Sequence, residues 1–145
     1  MTEQGMKMEY ARRTRGLALL LALCGAYCLA SLAHFVHNAE FVALYPNMPA
    51  GLSRSTIYAA WFAITAIGAL GLLLVRSRYA ILGFILIAVY AALGFDGLGH
   101  YALAPMSAHT LVMNLTIWCE VLAAAALLVF ALRCSFEAGR QHGPI

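Results

Sequence analysis

The chain has 145 residues, of which 63% are hydrophobic and only 10% charged. A soluble domain carries about 25% charged residues, so this composition excludes a water-soluble fold. So apolar a chain is not disordered either. The basic N-terminus behind the net charge of +3 is too short and too mixed with Glu3 and Glu9 to suggest nucleic-acid binding. The length fits one domain, residues 1–145, with the lipid bilayer as its partner.

A membrane-crossing helix needs about 20 mostly apolar residues. Four stretches qualify, at about 17–44, 56–75, 79–103 and 109–132. The first follows Lys7, Arg12, Arg13 and Arg15. That flank suits a signal peptide, but the apolar run is too long and lacks a small-residue cleavage site, so a retained span is expected. Pro46 and Pro49 mark the first loop, and Pro105 marks the third. Between the second and third spans lies only Arg76-Ser77-Arg78, a tight hairpin. The N-terminal cations, Arg76 and Arg78, and Arg133 and Arg140 share one side of a four-span chain, which leaves Arg54 on the other. The positive-inside rule then places both termini in the cytoplasm, with a bacterial inner membrane as the expected location. The expected fold is all-α: a four-helix up-down-up-down bundle. Gly68, Gly71, Gly94, Gly97 and Gly99 favour close helix packing.

Several features need no functional explanation. Cys24, Cys28, Cys119 and Cys134 lie in or near the spans and predict no disulfide framework. Cys24 and Cys28 read as small buried hydrophobes rather than soft-metal ligands. Tyr58, Trp61 and Tyr79 suit an interfacial aromatic belt. No phosphate loop, dinucleotide fingerprint or serine nucleophile elbow is present.

The polar residues inside the spans do need one. Glu40, Asp96 and Glu120 lie there with His34, His37, His100 and His109, beside Asn38 and Asn114. An ionisable group in a membrane is costly and marks function by default. Counting from the arginine-flanked ends places all of them in one layer near the opposite face. Glu120 is about 12 Å deeper than the boundary near Val112, at about 1.5 Å per residue. Helical phase puts His34, His37 and Asn38 on one face. Asp96 and His100 form an i, i+4 pair. His109, Met113, Thr116 and Glu120 share another face. Three polar stripes at one level are expected to converge on the bundle axis.

Imidazole with carboxylate is a usual donor set for Zn, Fe, Mn or Cu. The leading expectation is a transition-metal site of His34, His37, His100, His109, Asp96 and Glu120, serving metal handling or a small membrane metalloenzyme. Met48, Met106 and Met113 on the same side would favour copper. One alternative is haem b held by His37 and His100, in a haem protein or an accessory subunit of a redox complex. Another is a metal-free isomerase or ligand-binding bundle in which Glu120 and Asp96 act as acid and base. A channel ranks last, because the polar groups stop halfway across. The sequence leaves open whether the protein is an enzyme. Partners are expected among further copies of the chain or a larger membrane complex.

The segments His34-Phe35-Val36-His37-Asn38-Ala39-Glu40 and Asp96-Gly97-Leu98-Gly99-His100-Tyr101, and the pattern Pro105, His109, Asn114 and Glu120, resemble small bacterial membrane proteins of unknown function. In architecture and residue type the chain also resembles the four- and five-helix sterol-isomerase and sigma-2-type membrane proteins. That likeness covers no alignable motif and assigns no residue. It implies carboxylates and a histidine inside a helical bundle handling cationic, lipophilic ligands.

Overall fold

The computed structural model describes residues 2–141, apart from the side chains of residues 9, 12, 13 and 141. Among the described residues the fold is all-helical. The long helices are α1 (Glu3–Glu40), α2 (Arg54–Val75), α3 (Ala80–Leu93) and α5 (Leu111–Gln141), with a short α4 (Gly99–Leu103) between the last two. Single 3₁₀ turns stand at Val42–Leu44, Asp96–Leu98 and Met106–Ala108. Four segments are long and apolar enough to cross a bilayer: Thr14–Glu40, Arg54–Val75, Ala80–Leu103 and Leu111–Arg140. The chain is therefore an integral membrane protein.

The first helix starts earlier than its hydropathy suggests. Residues 3–16 are polar but helix-compatible, and Thr2 caps them by accepting from the Gly5 amide. Hydropathy marks the part of a helix that suits lipid, not where the helix begins. Ser53 opens α2 with a capping box: its hydroxyl accepts from Thr56 N, and Thr56 Oγ1 accepts from Ser53 N. The α2–α3 hairpin is closed by Ser77, whose hydroxyl donates to Leu74 O at 2.8 Å and accepts from Tyr79 N at 3.1 Å.

The helices pack in a ring: α1 on α2, α2 on α3, α3 on α5, and α5 on α1. A heptad-like spacing of 3 and 4 sets the core. On α1 it buries Leu20, Cys24, Tyr27, Ser31, His34 and Asn38, and on α5 Met113, Ile117, Glu120, Ala124, Leu127 and Ala131. Lipid-facing positions such as Leu29, Phe62, Leu73, Leu122 and Val129 are exposed. Between α2 and α3 the backbones nearly touch. A Cβ on Gly83 would lie 2.5 Å from Val75 N, and one on Gly68 would lie 2.5 Å from the Tyr90 ring. Tyr27 crosses the bundle centre, 4.5 Å from the Tyr90 ring, and donates to Tyr90 O at 3.1 Å. Gly94 admits it, because a Cβ there would lie 2.6 Å from the Tyr27 ring and hydroxyl.

The third span does not form one continuous helix. The run Gly94-Phe95-Asp96-Gly97-Leu98-Gly99 holds three glycines and an aspartate, all poor helix formers. There the backbone tightens: Gly94 N bonds Ala91 O, Phe95 N bonds Ala92 O, and Leu98 N bonds Phe95 O, each three residues back. This break decides which side chains of the third span reach the site.

Candidate functional site: a buried carboxylate–imidazole cluster

The site is built where the heptad stripes of α1 and α5 turn polar. Glu120 occupies a core position of α5 and is 1% exposed, and His34 occupies one of α1 at 3%. The two face each other, with His34 Nε2 3.8 Å from Glu120 Oε2. Gly97, in the 3₁₀ break, faces the pair. A Cβ built on it would lie 3.4 Å from Glu120 Oε2 and 3.8 Å from His34 Nε2. Ser31, one turn before His34 on the same stripe, is also buried.

A row of imidazoles leads away from this pair. The His34 and His100 rings are 5.4 Å apart, and His100 and His109 are 6.1 Å apart. Asn38 Nδ2 donates to His100 Nε2 at 3.4 Å, which leaves the His100 ring proton on Nδ1. His109 Nδ1 donates to Pro105 O at 3.1 Å, which leaves Nε2 as its lone-pair nitrogen. Tyr45 covers the row. Its ring lies 4.8 Å from His100 and 6.4 Å from His109, and its hydroxyl is 2.8 Å from His37 Nδ1. Burial pushes the Tyr45 phenol up to about 12, against a smaller opposing effect of the Thr116 hydroxyl. Tyr45 is therefore a neutral hydroxyl at physiological pH.

The cluster is poorly satisfied. Among the described residues eight buried side-chain atoms lack a hydrogen-bond partner. Six of them belong here: Ser31 Oγ, His34 Nδ1, Asn38 Oδ1, His100 Nδ1, His109 Nε2 and Glu120 Oε2. Native interiors satisfy nearly all such atoms. The exceptions are concentrated in one place, so the cluster has hydrogen-bonding capacity that its own side chains do not use.

The expected site residues separate into three groups. His34, His100, His109 and Glu120 come together, and Asn38 joins them. His37 stands beside this group, half-buried, and reaches it through Tyr45. The Tyr45 ring lies against both His37 and His100, so haem ligation by that pair would require Tyr45 to move. Asp96 and Glu40 do not join the cluster. The 3₁₀ break removes the helical phase that would pair Asp96 with His100, and Asp96 is exposed while His100 is buried. Glu40 instead binds the Arg54 guanidinium at 2.6 Å and accepts from Tyr58 Oη at 2.7 Å. That pair accounts for the arginine that stands apart from the other cations. Among the described residues no three His, Cys, Asp or Glu side chains are arranged to hold a metal ion.

Two members were missed by sequence reasoning. Ser31 was legible, since it shares the spacing of His34 and Asn38. Tyr45 was not, because it follows the helix in an aperiodic loop. That loop is tied down by Asn47, which adopts φ 55° and donates to Leu103 O at 2.8 Å. The chain matches no protein-family model, no curated protein and no solved structure.

Proposed function

We propose that this integral membrane protein carries out metal-free acid–base chemistry on a lipophilic molecule, of the isomerase type, with Glu120 and His34 as the proton-exchanging pair. The observation behind this reading is the Glu120–His34 pair itself: two proton-transfer groups 3.8 Å apart, both almost fully buried at core positions. Acid–base catalysis needs such groups within reach of each other and shielded from water. His34 takes the role that sequence reasoning gave to Asp96. His100 and His109 extend the pair towards the loops, and Tyr45 covers them. In this reading both termini are cytoplasmic, the bundle runs up-down-up-down, and the site lies towards the opposite face. Infrared difference spectra recorded between two pH values test it. A carboxyl band should change with pH in the wild type and vanish in Glu120→Gln. If Glu120→Gln leaves every titrating carboxyl band in place, the reading is wrong.

A metal is the second reading, favoured by three neighbouring imidazoles, of which His109 Nε2 is a lone-pair nitrogen without a partner. His34, His100 and His109 would have to turn towards one point to bind it, with Glu120 as the anionic ligand. Elemental analysis of protein purified with added Zn, Cu and Fe decides this. Stoichiometric metal that is lost in His100→Ala supports the second reading, and its absence refutes it.

A further inference from the structure

We propose that the recess at Gly97 is a binding site for one water-sized polar molecule that bridges Glu120 Oε2 and His34 Nε2. The proposal deepens the acid–base reading of this pair and rests on it for the proton step. Two polar atoms 3.8 Å apart are too far for a direct hydrogen bond, the separation at which a bridging water is expected. A molecule with legs of about 2.8 Å to each fits beside the pair rather than between its two atoms. Gly97 provides the side on which it fits.

The other buried glycines show why Gly97 stands apart. A Cβ on Gly68, Gly71, Gly83 or Gly94 would meet its nearest neighbour at 2.5 to 2.8 Å, so packing alone excludes a side chain at those four positions. A Cβ on Gly97 would meet nothing closer than 3.4 Å, which is ordinary contact. Packing therefore does not require glycine at 97. What the missing methyl does is leave room against two polar atoms, and Glu120 Oε2 is unpartnered on a side chain that is 2% exposed. Ile117 Cγ2 bounds the recess at 3.7 Å on its apolar side. The occupant must accept from the Glu120 carboxyl O–H and donate to the imidazole nitrogen from about the place a methyl group would fill, and water meets both requirements.

The bridge also completes a proton step. The Glu120 O–H bond breaks and its proton passes to the bridging oxygen. The same water gives one of its own protons to His34 Nε2, forming an N–H bond. Water is regenerated, Glu120 becomes a carboxylate and His34 an imidazolium.

The test is a high-resolution structure of the full chain in a lipid phase, with infrared spectra of the Glu120 carboxyl. In the wild type a single solvent peak should lie within hydrogen-bond distance of both atoms. Gly97→Ala should fold normally, lose the peak and shift the Glu120 band. Gly97→Ser, whose hydroxyl can take the place of the water, should bring the band back towards wild type. The proposal is overturned if the wild type shows Glu120 bonded directly to His34 with no peak, or if Gly97→Ala leaves peak and band unchanged. A wild-type peak beside a Glu120 carboxyl that never titrates supports the site and overturns the acid–base reading.

Discussion

The double substitution His34→Leu with Glu120→Met tests whether the buried pair serves function rather than stability. Both residues sit at core positions of the α1 and α5 stripes, flanked by Tyr27, Ile117, Val121 and Ala124, all at most 5% exposed. Leu and Met fill such positions without polar atoms, and Met adapts to small mismatches. His34 Nδ1 is buried without a protein partner, and the only partner proposed for Glu120 Oε2 is a single water. A buried polar atom left without a partner costs about 1–3 kcal/mol. If the pair is ionised, its attraction is about 4 kcal/mol at an effective dielectric of 20, but desolvating two ions costs several kcal/mol each. In either protonation state the pair does not repay its burial. The double variant should therefore be more stable than wild type by about 2 kcal/mol, within the range for replacing buried ion pairs with apolar residues. Equilibrium unfolding in mixed micelles, followed by helical circular dichroism, measures the difference, and both single variants complete a cycle. A double variant less stable than wild type by more than about 1 kcal/mol would refute the reasoning, because the pair would then be part of what holds the bundle together.

Three further outcomes follow from the same structure. Gly83→Ala should destabilise by about 1–3 kcal/mol, since its Cβ would lie 2.5 Å from Val75 N and the α2 and α3 backbones would have to part; the same unfolding assay reads it. Arg54→Ala should cost less than about 0.5 kcal/mol, because its ion pair with Glu40 is 66% and 32% exposed and solvent screens it; a loss above about 1 kcal/mol would contradict this. The Tyr45 phenolate should appear near pH 12 rather than near 10, read as the ultraviolet difference between wild type and Tyr45→Phe. Here the folded value is the higher one, so the folded state holds the phenolic proton longer. The stability it contributes is whole below about 10 and is lost as the pH rises through about 12.

Much of this arrangement can be read from the chain. The four spans follow from apolar length, and the layer of polar residues follows from counting along them. His34 and Asn38 share a helical phase, and the depth of Glu120 makes it conspicuous. The phase argument for Asp96 holds only while the helix does, and the glycine-rich run ends the helix there. The helix is interrupted so that Gly97 can approach Glu120, and Asp96, one residue earlier, is turned outward. His109 lies before the first residue of α5 yet still reaches the cluster, because the 3₁₀ turn at Met106–Ala108 and the bond to Pro105 O hold its ring there. Tyr45 owes its place to the tertiary tie between Asn47 and Leu103, which no local pattern encodes.

The most direct test of the account is a pH titration of the Glu120 carboxyl and the His34 ring in the lipid-reconstituted protein, with both residues isotope-labelled and followed by solid-state magnetic resonance. Both signals should change across one shared pH step, and His34→Gln should move the Glu120 step. A Glu120 carboxyl that keeps one protonation state wherever the protein remains folded, or one that titrates identically without His34, would contradict it.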